Sequence, residues 1–149
     1  MLLGCGGGAA TTGEASSSPA AWEPEGRVIP LTLPGDVELQ VELRQSPDDQ
    51  ARGMMFRPQL PPDKGMLFVF DRQQPRPFWM FQTMVPLDMI WFDDNKRVVE
   101  IQQNAPPCGQ RDFRNCPTYG GNQPSTYVLE LAAGRAAAYD LKVGDQVEF

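Results

Sequence analysis

Residues 27–44 read RVIPLTLPGDVELQVELR. Val37, Leu39, Val41 and Leu43 alternate with Glu38, Gln40, Glu42 and Arg44, the period of two that marks a strand with one face on a core and the other toward solvent. Ahead of them, Pro34-Gly35-Asp36 is a turn triplet: proline presets its own φ and glycine takes backbone angles that side chains disfavour. The stretch predicts an antiparallel hairpin and sets a β-rich frame for the rest of the chain.

Toward the C-terminus the period changes at once. In SPDDQARGMM, Ser46 is an N-cap, Pro47 suits the first helical position, and Asp48 and Asp49 sit where the helix dipole favours negative charge. A short helix ending near Gly53 is expected. Met66 to Phe70, Phe78 to Val85 and Leu87 to Phe92 read as strands, and DDNK turns the chain into RVVEIQQ. TYVLEL at 126–131 resumes as a strand, GRAAAYDL forms a second short helix, and VGDQVEF closes with a turn and a strand. The fold class expected is α+β and β-rich: a small, mainly antiparallel, barrel-like sheet with two short helices.

The region from Asn104 to Ser125 has no periodicity, and a loop of that length in a compact domain needs a tie or a function. Cys108 and Cys116 flank a polar turn inside it. Their spacing is not the Cys-x-x-Cys of redox sites, and no second pair completes a zinc site, so a disulfide is expected, contributing roughly 2 to 3 kcal/mol through loop closure. Tyr119-Gly120-Gly121-Asn122 lacks the spacing of a phosphate-cradling loop and reads as a turn.

Composition narrows the chemistry. The 149 residues contain no histidine, which removes Ser-His-Asp and Cys-His catalysis and His-ligated zinc within this chain. A net charge of −6 with scattered Lys and Arg offers no basic stripe, so nucleic acid is not an expected partner. No apolar run approaches the roughly 20 residues of a spanning helix. Three segments emerge: 1–5, 6–26 and 27–149. The second, rich in Gly, Ala, Ser, Thr, Pro and Glu, reads as a flexible tether, and the third as a single globular β-rich domain.

Asp88 is the polar residue that stands out. It shares parity with Ile90 and Phe92, while Leu87, Met89 and Trp91 occupy the other face, so its carboxylate meets apolar surroundings either way. A buried carboxylate needs a charged or multiply hydrogen-bonded partner, and Arg52 and Arg57 are the candidates. Two readings are open: a buried ion pair locking the helix end to the sheet, or a pocket in which Arg52, Arg57, Thr83 and Asp88 converge on a small polar or anionic ligand beside Trp79. Six of the seven methionines, at 54, 55, 66, 80, 84 and 89, fall in the central third. Thioethers select Cu(I), but methionine is also an adaptable core filler, and no metal or cofactor is expected.

The run from Arg52 onward resembles the bacterial and archaeal family called domain of unknown function 192. The resemblance rests on Arg52-Gly53-Met54-Met55 with Arg57, Gly65-Met66-Leu67-Phe68, Phe78-Trp79-Met80, Thr83, Pro86-Leu87-Asp88, Pro107-Cys108, Tyr127-Val128-Leu129-Glu130 and Gly144-Asp145. It covers about Val28 to Phe149 and implies a compact, mainly β protein, often exported, with no established activity. Phe81-Gln82 stands where the family has Lys-Asn. At the other end, Leu2-Leu3-Gly4-Cys5 resembles the bacterial lipobox, in which the cysteine is lipidated. Residues 1–5 then read as the remnant of a lipoprotein signal peptide, and 6–26 as the spacer.

The function expected is a ligand- or partner-binding module of the cell envelope, at a periplasmic membrane face or secreted, anchored through lipid on Cys5. An enzyme using Asp88 with Arg52 or Arg57, and Cu(I) handling by the methionines, are the alternatives.

Overall fold

The computed structural model describes residues 22–149, so Cys5 and residues 6–21 of the expected tether lie outside the described residues. The hairpin forms as the alternation predicts. Strand β1, Val28–Leu33, pairs antiparallel with β2, Val37–Arg44, and Leu33 lies opposite Val37. Helix α1, Pro47–Arg52, begins at Ser46, whose Oγ accepts a hydrogen bond from Asp49 N at 3.2 Å, and stops at Gly53. There follow β3 (Lys64–Pro75), β4 (Phe78–Trp79), β5 (Leu87–Phe92), β6 (Val98–Ala105), β7 (Thr118–Tyr119), β8 (Pro124–Ala132) and α2 (Arg135–Ala138).

Six strands form one sheet in the order β1-β2-β3-β8-β5-β6, while β4 and β7 pair apart from it. All neighbours in the large sheet are antiparallel except β2 and β3, which run parallel because the chain crosses over through α1. The C-terminal residues bond to both edges. Thr32 and Glu148 exchange backbone hydrogen bonds of 2.8 and 3.0 Å, Val98 N donates to Asp145 O at 2.8 Å, and Val147 N donates to Lys96 O at 3.1 Å. The open sheet is thereby drawn into a barrel-like form at one end. The strand expected over VGDQVEF is reduced to these isolated bridges.

The sheet buries both faces. Leu31, Leu39, Val41, Leu67, Ile90, Phe92, Leu129 and Leu131 fill the inside of the curve with Val147 and Ala136. On the outside, Met66, Phe68, Met89, Trp91 and Val128 pack under Met54, Leu60 and Met80, which arrive from the connections after α1 and β4. Every residue of β5 is therefore buried.

Three expectations change. Strand β2 is not half-buried along its length, because Glu42 and Arg44 on its polar side are covered, at 0 % and 2 % exposure. The strand expected over 78–85 ends at Trp79, and Gln82 has φ 53, turning the chain across the outer core. Ordered contacts begin before residue 27: Glu25 N and Gly26 N donate to Glu42 Oε1 at 2.9 and 2.8 Å, and Trp22 packs on the outer core. The long loop is tied as predicted. Cys108 and Cys116 form a disulfide with Cα atoms 5.8 Å apart, and Cys108 N donates to Met80 O at 3.1 Å. No helix among the described residues is long and apolar enough to cross a membrane.

Candidate functional site

Asp88 is fully buried, as its company in β5 implies, but neither predicted arginine is its partner. Its Oδ1 accepts from Asn104 N at 2.8 Å and its Oδ2 from Ala136 N at 2.8 Å. The second bond secures the start of α2, and the first pins the end of β6, where Asn104 has φ 53. Two backbone N–H groups compensate the carboxylate in place of the expected ion pair, which makes Asp88 a brace on the inner face.

The arginines belong to a separate network on the outer face. Arg57 grips Glu42 with two hydrogen bonds, Nη1 to Oε2 at 2.6 Å and Nη2 to Oε1 at 3.1 Å. Arg44 Nη2 lies 3.1 Å from Glu42 Oε1 as an ion contact without hydrogen-bond geometry, and Arg44 Nη1 lies 3.7 Å from Asp49. Glu25 joins in, 3.0 Å from Arg52 and 3.6 Å from Arg57. Arg44, Arg52 and Arg57 thus face Glu25, Glu42 and Asp49, three positive charges against three negative.

One further carboxyl on this face stands outside that balance. The registers of β3, β8 and β5 put Glu130 between Met66 and Met89, and it is 4 % exposed. Its Oε2 has no hydrogen-bond partner among the described residues. Burial disfavours the charged form and pushes its pKa up to about 8, while the positive charge of Arg44 limits the rise. Glu130 lines a cavity of about 40 Å³ between the end of α1, Phe68, and the segment Phe78 to Thr83. That volume takes a water or one small chemical group and no more. Gly53 permits the close fit: its φ is 46, and a Cβ there would stand 3.2 Å from the Phe68 ring.

Three of the predicted site residues, Arg52, Trp79 and Thr83, line this cavity. Arg57 sits in the ion network beside it, and Asp88 contributes nothing to it. Glu130 is absent from the residues expected, although the reasoning that singles out Asp88 applies to it equally: within TYVLELA it shares parity with Val128 and Ala132, and Leu129 and Leu131 take the other face. At the mouth, Trp79 is 39 % exposed and its ring centroid lies 5.0 Å from Phe113 and 6.3 Å from Phe81. A larger groove of about 350 Å³ shares Gln50, Ala51, Phe78 and Trp79 with the cavity and runs on to Phe70, Pro75 and Pro77.

The methionines mostly fill core. Met54, Met66, Met80 and Met89 are buried in the outer cluster, and Met84 is exposed. Arg44 Nε donates toward Met66 Sδ at 3.5 Å, so that thioether faces a positive charge. Among the described residues no group of three or more His, Cys, Asp or Glu is placed to hold a metal ion.

Comparison with known proteins bears on the fold and the family. A protein of unknown function from Novosphingobium aromaticivorans DSM 12444 is similar over 96 % of this chain and 100 % of its own, at 32 % identity and a TM-score of 0.74. A Sinorhizobium meliloti 1021 protein, whose name proposes a transcription regulator, is similar over 80 % of this chain and 89 % of its own, at 33 % identity and a TM-score of 0.71. No curated protein matches. The model of DUF192, described as Uncharacterized ACR, matches residues 30–149, and over that span the chain belongs to the domain of unknown function 192 family.

Proposed function

We propose that this protein is a non-enzymatic, small-ligand-binding module of the bacterial cell envelope, with the Glu130 cavity as its site. The observation that carries the reading is Glu130 itself, a buried carboxyl oxygen without a partner at the wall of a cavity under an exposed tryptophan. Buried polar groups are ordinarily paired, and a perturbed carboxyl in a cleft is the physical signature of a site. Cavity and groove together provide a polar end and an apolar flank, the usual make-up of a small-molecule site.

The location in the envelope rests on other features. Leu2-Leu3-Gly4-Cys5 is lipobox-like, the segment after it is low in apolar residues, and the Cys108–Cys116 disulfide suits an oxidising compartment. Lipid on Cys5 would hold the domain at a membrane. The enzyme alternative loses its residue, since both oxygens of Asp88 are committed to backbone N–H groups. Cu(I) handling is disfavoured by Arg44 against Met66, and a regulator that binds DNA by a net charge of −6.

Screening the full chain by thermal shift against small envelope metabolites, in parallel with Glu130→Gln, tests the site. A true ligand raises the melting temperature of the parent and not of the variant, by about 2.7 kcal/mol at a hundredfold excess over Kd. A ligand that stabilises both equally places binding elsewhere. Metabolic labelling with a fatty acid, lost in Cys5→Ala, tests the anchor; an unlabelled parent refutes it.

A further inference from the structure

We infer that the cavity selects the ammonium head of a primary amine, held by the Glu130 carboxylate beneath Trp79 and Phe81. The inference rests on the cavity being a binding site and adds the class of ligand it takes.

The charge count points to a cation. The neighbouring network is neutral by itself, with Arg44, Arg52 and Arg57 offset by Glu25, Glu42 and Asp49, so Glu130 has no countercharge of its own. Arg44 is its nearest cation in electrostatic effect, yet Arg44 is already shared among Glu42, Asp49 and Glu25. The groups facing Glu130 from the other elements are Met66 and Phe68 on β3, Met89 on β5, Phe78 and Trp79 of β4, and Phe81 beyond it. Arg52 from α1 is the one other charge lining the cavity, and it donates outward to Glu25 at 3.0 Å. An entering ammonium supplies the countercharge that the ionised form of Glu130 lacks, and the aromatic lining of Phe78, Trp79 and Phe81 favours a cation.

Size and shape refine the class. About 40 Å³ admits a primary ammonium and excludes a quaternary one. The rest of the molecule must lie outside, along the groove that begins at the shared Trp79 and Phe78 wall, which is mainly apolar and carries one charge, Arg76, stacked on Phe70. The ligand is therefore a primary amine carrying an apolar or planar body.

Ionisation gives the binding a signature. Glu130 with a pKa of about 8 is protonated at neutral pH and must release that proton to receive the cation. Affinity for an ammonium should rise roughly tenfold per pH unit below that pKa and level off above it.

The test is calorimetric titration of the full chain with methylammonium, butylammonium, tetramethylammonium, acetate and acetamide, at several pH values and in buffers of different ionisation heat. Methylammonium and butylammonium should bind with uptake of the released proton by buffer, butylammonium more tightly, and tetramethylammonium should not bind. Glu130→Gln should abolish binding, and Phe81→Lys should do the same by placing an ammonium of the chain's own in the cavity. Thermal unfolding of both variants establishes that they fold. If acetamide or acetate binds in a Glu130-dependent way while the amines do not, the site stands and the amine assignment falls. If no probe binds above the carboxyl's pKa, the amine assignment and the reading of the cavity as a site both fall.

Discussion

Arg57 and Glu42 are joined by two parallel hydrogen bonds of 2.6 and 3.1 Å on the covered outer face of β2. The pair clamps the segment after α1 onto the sheet, and that segment carries Met54 and Met55 into the wall of the Glu130 cavity. With Arg57 at 9 % side-chain exposure and Glu42 at 0 %, neither charge has water to turn to. Arg57→Met should cost about 3 to 5 kcal/mol, because it breaks a buried ion pair and leaves Glu42 Oε2 without its hydrogen bond, while Oε1 keeps Glu25 N, Gly26 N and Arg44. The double variant Arg57→Met with Glu42→Gln should recover part of that loss. Urea unfolding of the four proteins of this cycle measures the coupling.

Asp88 predicts a different pattern. Asp88→Asn replaces an acceptor by an NH2 group facing Asn104 N or Ala136 N, and should destabilise by about 2 to 4 kcal/mol. Because Asp88 braces the inner face, amine binding at Glu130 should be unchanged wherever the variant is folded. Equal loss of binding and stability would place Asp88 in the site.

Stability should fall as pH rises, owing to Glu130. Its pKa is about 8 in the folded chain, above the ordinary value of 4.5. Both states hold the proton below the lower value. Between the two values the unfolded chain loses it while the folded chain keeps it, so folding weakens by an amount on the order of a few kcal/mol and then levels off. With no histidine in the chain, no imidazole obscures this slope. Glu130→Gln should flatten it in chemical denaturation followed across that range.

Gly120 sets the packing of the tied loop against the sheet. Its φ is 69, and a Cβ at this position would run into the Trp91 ring, whose Nε1 donates to Arg76 O at 2.8 Å. Gly120→Ala should cost about 2 kcal/mol or more through strain and overpacking. Near-ultraviolet circular dichroism should report the displaced indole. Reducing the Cys108–Cys116 disulfide should cost a similar amount, about 2.5 kcal/mol.

Local signals carry most of the fold. The alternation of β2, the Ser46 cap with Pro47, and the apolar run of β5 each specify their element from neighbours in sequence, and each is found where expected. The parallel pairing of β2 with β3 and the burial of Glu42 and Arg44 depend on the segment after α1 folding back over the sheet, which no local pattern encodes. Asp88 is legible as buried because both faces of β5 are apolar. Its partners are not, because backbone N–H groups carry no sequence signature. The same test of parity finds Glu130, but its significance lies in the absence of a partner, and only the assembled ion network reveals that Arg44, Arg52 and Arg57 are spent on other carboxylates.

The ionisation of Glu130 in the full chain can be read directly from the carboxyl carbon in a 13C-glutamate NMR pH titration, assigned by its loss in Glu130→Gln. The predicted midpoint is about 8, moving lower when methylammonium is added. A midpoint in the ordinary carboxylate range near 4.5, unmoved by the amine, would contradict the account.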